Sequence, residues 1–274
     1  MIKICKISFF NFFIFFNFIS SCLSQQIVNS VGKDDPIEIF AEGGIEWDKN
    51  KKIYTARKNA EAKKGELVVN ADILEAHYDE KEENNNEIKF LKAIGNVKIN
   101  DGKTFITGGR NALYDIKKEH FIIFGNNVKM MSQNDILSAN MKLEFWQKKN
   151  IAIATGDAEA MRKKKYKINA EKLVTHLLTN EKGESDVKKI IAYNKVIIKT
   201  NNEIAYGDKA LYNKSSEICK LFGNVKLKKD ENFLTGEYAE MNLNDGISKL
   251  LPYPGNRSFE TENRVKALIK KQDD

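Results

Sequence analysis

The residues able to do chemistry are few, and they do not assemble into a site. The three histidines, His77, His120 and His176, are scattered with no ligand-like spacing. There is no H-E-x-x-H pair to hold zinc, no C-x-x-C, no G-x-S-x-G nucleophile elbow and no phosphate-cradling P-loop. Gly108-Gly109 reads as a strand bend, without a following helix to receive phosphate. Carboxylates are plentiful, but no spacing singles out a pair for glycosidase-type chemistry. Arg162-Lys163-Lys164-Lys165 could meet phosphates, and its place between elements reads better as a solvated turn. The expectation is a protein that is not an enzyme, with no catalytic, cofactor-binding or metal-binding residue and no cofactor.

Cysteine usage separates the front of the chain from its body. Cys5 and Cys22 lie in the first two dozen residues, and Cys219 stands alone afterwards, so no internal disulfide is available. Lys3 and Lys6 precede the aromatic run Ile7–Ile19, which is followed by Ser20-Ser21-Cys22-Leu23-Ser24. A positive start, a short apolar stretch and a small-residue exit read as a secretory signal over residues 1–24. The run is too short and too interrupted by Asn for a membrane span of about 20 residues. Two processing sites compete: cleavage after Ser24, and a lipoprotein box in which Cys22 is the lipidated first residue. Everything after Gln25 is expected to be water-soluble.

What positions the remaining residues is a repeat. A nine-residue pattern of apolar, x, Ala-like, x, Gly-like, x, Val-like, x, apolar occurs at Ile39–Trp47, Leu91–Ile99, Ala152–Ala160, Ile190–Ile198 and Cys219–Leu227. Tyr54–Ala62 and Ile122–Met130 are looser copies. A second element follows the later copies, clearest as Gly207-Asp208-Lys209-Ala210-Leu211-Tyr212, with relatives at Gly109–Tyr114, Gly236–Met241, Ala170–Thr175 and Ala71–Ala76. Apolar residues fall on every second position, the signature of a strand with one face buried. The small residue in mid-strand predicts a sharp bend or bulge. Asp79–Glu87 reads as a longer surface loop. One unit repeated end to end favours stacking along an axis. Eight to ten strands per sheet at about 4.8 Å would give a body roughly 40 to 50 Å long.

The quoted residues Ala93, Gly95, Asn96 and Val97, then Leu221, Gly223, Asn224 and Val225, with Gly207–Tyr212, resemble the repeats of the LptA/OstA-like periplasmic lipopolysaccharide-transport (bridge) family. The resemblance covers about Ile37 to Ile269. It implies an all-β, elongated, twisted β-jellyroll: two facing antiparallel sheets of OstA-like repeats around an open apolar groove that carries lipopolysaccharide (lipid A) acyl chains. It further implies outer-membrane biogenesis as the setting and an inner-membrane anchor and an outer-membrane translocon as partners, with end-to-end self-association. An LptC-like membrane-anchored component of the same pathway and a structural envelope repeat protein are the alternatives.

The resulting division is 1–24 signal, 37–251 jellyroll repeats, and 252–274 a C-terminal edge segment and tail, with Val265–Ile269 as a final short strand. The expected location is the periplasm of a Gram-negative envelope. Net charge is +7, or +5 once the two leader lysines are removed. Export and the lack of aromatic-basic stacking pairs argue against nucleic acid. The groove candidates are Val97, Ile99, Phe105, Val128, Met130, Val196, Ile198, Val225 and Leu227, residues that would equally fill a core. Phe145, Trp146 and Phe233 could line the groove, pack the sheet or form an edge cluster.

Overall fold

The period-two pattern is realised as strands along nearly all of the described residues. The computed structural model describes residues 37–81, 85–132, 135–162, 165–179, 185–254 and 265–269. The expected signal over residues 1–24 and Cys22 lie outside them.

The strands are β1 (Glu38–Phe40), β2 (Ile45–Asp48), β3 (Ile53–Lys64), β4 (Leu67–Lys81), β5 (Asn85–Asn100) and β6 (Phe105–Asp115). Next come β7 (His120–Phe124), β8 (Val128–Met131), β9 (Asp135–Ala139), β10 (Lys142–Trp146), β11 (Ile151–Arg162) and β12 (Tyr166–Thr179). The last six are β13 (Ser185–Lys199), β14 (Ile204–Asn213), β15 (Ile218–Lys229), β16 (Asn232–Asn242), β17 (Ser248–Leu251) and β18 (Lys266–Leu268). Between β10 and β11 lies one 3₁₀ turn, Gln147–Lys149.

All the pairings are antiparallel and join one 18-stranded sheet, folded along a corner line into two faces. Strands β3–β6 and β11–β16 each cross the corner and give half their length to either face. Strand β3, for example, pairs with β2 through Ile53–Ala56 and with β1 through Glu61–Lys63. Four rungs are split at the corner into separate strands: β1 with β2, β7 with β8, β9 with β10, and β17 with β18. The 18 strands therefore make fourteen rungs. At about 4.8 Å per rung the body is roughly 60 Å long, more than the sequence suggested. Each bent strand serves both faces, so rungs are used more sparingly than in two independent sheets.

The corner is made by the fifth and sixth positions of the nine-residue pattern. Both adopt positive φ at Lys58/Asn59, Gly95/Asn96, Gly156/Asp157, Asn194/Lys195 and Gly223/Asn224. The pairing register slips at the same places, as between Ile94 and Val97 or Phe222 and Val225. This is the bend expected from the small mid-strand residue.

The two ends of the stretch Asp79–Glu87 depart from its reading as a loop, and residues 82–84 lie outside the described residues. Pairing continues through Asp79↔Glu87, Glu80↔Asn86 and Lys81↔Asn85. These rung tips stand beyond the buried wedge, so backbone pairing carries the strand where no apolar alternation marks it.

Candidate functional site

The inner surface of the folded sheet is a set of cross-strand ladders. On the first face one ladder runs through Ile45, Ala56, Leu74, Ala93, Ala112 and Ile123. It continues through Leu143, Ala154, Leu173, Ala192, Ala210, Leu221, Ala239 and Leu250. On the second face a matching ladder begins at Ile39, Ala62, Val69, Ile99, Ile106, Met130 and Leu137. It passes through Ala160, Ile168, Ile198, Ala205, Leu227 and Leu234 to Ala267. Every member of both ladders is apolar. Residues deepest in the corner, including Ala60, Val97, Val128, Ala158, Val196 and Val225, are fully buried.

Eight of the nine groove candidates lie on this inner surface. Val97, Ile99, Val128, Val196, Ile198, Val225 and Leu227 are buried, and Met130 is half-buried in the ladder. Phe105 does not belong there. Its neighbour Ile106 faces inward, so strand alternation turns Phe105 outward, and it is 40% exposed. Phe145 faces in, while Trp146 faces out with its ring stacked 3.8 Å from that of His120. Phe233 lies outside the ladder under the ammonium of Lys226.

The outer corner line carries an order that the sequence pattern hid. Asn96 Nδ2 donates to both carboxylate oxygens of Asp72 at 3.1 and 3.0 Å. Asn224 donates to one oxygen of Asp208 at 2.8 Å, Asn194 to one of Glu171 at 3.0 Å, and Asn140 to one of Asp157 at 3.2 Å. Lys195 adds an ion pair to Glu171 at 2.6 Å and, with Asn194, holds that carboxyl below its usual range. In three of these the corner Asn clasps the acid of the preceding G-D-K-A-like element on the neighbouring rung, and in the fourth the corner supplies the acid, Asp157. Two residues some 16 to 24 positions apart in the chain form each clasp, too far apart for local pattern reading.

Opposite the corner, the rung tips of the two faces meet across the mouth of the trough from β11 onward. Arg162, on a second-face tip, reaches Asp186 on the first face at 3.1 Å and is held by Asp135 at 2.7 Å. Lys214 binds the other oxygen of Asp186. Burial opposes ionisation of Asp186, but hydrogen bonds from Lys214 and Arg162 outweigh it and hold the carboxyl below its ordinary range. Lys165 pairs with Glu217 at 3.6 Å, and the rings of Tyr166 and Tyr212 lie 5.0 Å apart. The Tyr212 hydroxyl donates to Glu217 at 2.8 Å, and Ser248 donates to Glu203 across the mouth. Burial is the main reason the Tyr166 hydroxyl is pushed up to about 12. The Arg162–Lys165 stretch, read as a solvated turn, therefore has an inward anchor at one end. The Arg162 side chain is only 13% exposed, because acids distant in sequence close around it. Residues 163 and 164 lie outside the described residues.

Exposed apolar side chains gather at the two ends. Ile37, Phe40, Ile45 and Trp47 stand at the β1/β2 edge, and Tyr253, Val265, Leu268 and Ile269 at the β17/β18 edge. A cavity of about 450 Å³ opens between β17 and β18, lined in part by Val225, Leu251, Tyr253 and Val265. Among the described residues no cluster of acidic, His or Cys side chains is fit to hold a metal ion, and no helix is long and apolar enough to cross a membrane.

Residues 135–247 match the family model described as LptA/(LptD N-terminal domain) LPS transport protein. No curated protein matches the chain. Among solved structures it is similar to LptH of Pseudomonas aeruginosa, described as the LptA-homologous periplasmic component of the conserved lipopolysaccharide transport device. Identity there is 11% over 86% of this chain and 96% of that one, with a TM-score of 0.23. Through residues 135–247, then, this chain is similar to the LptA/(LptD N-terminal domain) lipopolysaccharide-transport proteins.

Proposed function

We propose that this protein is a periplasmic carrier that receives lipopolysaccharide acyl chains between its two faces and hands them on toward the outer membrane. The observation that carries this reading is the pair of unbroken apolar ladders running from one open edge of the molecule to the other. Exposing an acyl chain to water costs about 0.8 kcal/mol per methylene. A sleeve of repeated, near-equivalent rungs offers similar affinity at successive positions, so no single rung becomes a trap. Sugars and phosphates remain outside the mouth. Net movement then comes from a powered partner that pushes the cargo along.

The two edge rungs, whose outer backbone groups have no partner among the described residues and whose apolar side chains are exposed, suit strand addition by neighbours. An inner-membrane anchor, an outer-membrane translocon and further copies of the chain are the partners this reading assigns to them.

Photoreactive residues at Leu91 and Met130, both half-buried on the inner surface, test the reading, with outward Phe105 as control. Irradiation in envelope-intact cells is expected to give lipopolysaccharide adducts at the first two positions and none at the third. Adducts absent from both inner positions, or as strong at Phe105, would overturn it.

A further inference from the structure

The trough is not uniform along its length. In the early rungs the inner ladders retain partial exposure at Tyr54, Val69, Leu74 and Leu91. From β12 to β16 the inner residues Leu173, Ile198, Cys219 and Met241 are at most 1% exposed, and only residues near the rung tips, such as Leu177 and Leu234, stay half-buried. The sealed stretch coincides with the cross-mouth pairs Arg162–Asp186, Lys165–Glu217, Tyr166–Tyr212 and Ser248–Glu203. We propose that these pairs form a latch that closes the C-terminal half of the trough, and that acyl chains occupy this half only when the latch separates. The inference rests on the carrier reading and adds to it a gate with named residues.

Two features fit a closed state built to open. Ion pairs at the rim of a groove are individually weak, and these join strand ends (Arg162, Asp186) and turns (Lys165, Glu217) rather than strand middles. Inside the sealed stretch Thr175 faces the trough, 5% exposed, and its Oγ1 has no hydrogen-bond partner. A buried hydroxyl without a partner disfavours the closed arrangement. An oxygen of an arriving chain, such as an ester carbonyl or an acyl hydroxyl, would supply what Thr175 lacks. The latched half is therefore matched to oxygenated acyl chains.

The test compares photoreactive residues at Leu91, in the open half, and Leu177, a half-buried inner residue of the latched half, each with purified lipopolysaccharide as probe. Lys165→Cys and Glu217→Cys are joined by a bis-maleimide containing a reducible disulfide. Locking is expected to lower the Leu177 adduct about tenfold while the Leu91 adduct persists, and reduction of the linker to restore it. In unlocked protein, Asp186→Asn with Glu217→Gln is expected to raise the Leu177 adduct severalfold relative to Leu91. Should that variant fail to fold, the locked and released protein decides alone. Equal Leu177 adducts before and after release would overturn the latch and leave the carrier intact. Adducts at neither position would overturn the carrier reading and the latch together.

Discussion

At the scale of single residues, the protein is organised by the pair that turns each strand around the corner. Gly223 sits at φ +73°, and a Cβ there would lie 2.6 Å from Asp208 Oδ2, the atom that accepts from Asn224. Gly95 stands in the same relation to Asp72. Gly223→Ala is therefore expected to lower stability by about 1–3 kcal/mol, through left-handed strain and a displaced clasp. Urea unfolding measures it, and Asp208→Ala should recover part of the loss in the double variant. Strict additivity would show that the clasp and the glycine are independent. The corner was legible at Leu91–Ile99 and Cys219–Leu227, where Gly-Asn announces positive φ. At Tyr54–Ala62 and Ile190–Ile198 the same corner is Lys58-Asn59 and Asn194-Lys195, and lysine gives no such signal.

At the scale of elements, parity decides function: one residue of shift moves a side chain from trough to solvent. Phe105 shows this, since its aromatic character suggested the groove and its register with Asn100 and Met131 puts it outside. The opposed tips of β11 and β13 add a property that no strand has alone. Asp186 faces Arg162 and Lys214, with Asp135 behind Arg162, and titrates below the usual carboxylate range. A carboxyl depressed in the folded state stabilises fully above its unfolded value, near 3.9, and that contribution disappears as pH falls through the lower native value. The latch should hence loosen in acid below about pH 4 and be insensitive to pH above it. Buried Cys219, whose thiol burial pushes up to about 12, is the native reporter. Its modification by 4,4′-dithiodipyridine should accelerate as pH falls below about 4 and be less steeply pH-dependent in Asp186→Asn. Identical profiles in the two proteins would remove Asp186 from the latch.

At the scale of the whole molecule, the fourteen rungs of the described residues end in two edges that no described strand pairs, and the two differ in composition. The β1/β2 edge presents Phe40, Ile45 and Trp47, with Trp47 49% exposed and its indole NH bonded to Tyr78 at 2.7 Å. Exposed apolar edges are an invitation to strand pairing, which solitary proteins suppress with charge. Ile45→Glu with Trp47→Glu is accordingly expected to reduce concentration-dependent association in analytical ultracentrifugation, without loss of the β-sheet circular dichroism signal. Native protein that stays monomeric across the concentration series would argue that this edge serves a different partner.

The amino-acid sequence by itself determined the strands, the period-two inner surface and the bends marked by Gly-Asn, because those depend on alternation and on local φ preferences. It did not determine the number of rungs, the polar tip pairing through Asp79–Glu87, or the outward turn of Phe105, which follow from backbone register between strands. The corner clasps and the latch were likewise decided only by the tertiary structure. Their members, Asp72 with Asn96 or Arg162 with Asp186, lie 24 residues apart and are brought together by the folding of one sheet back upon itself.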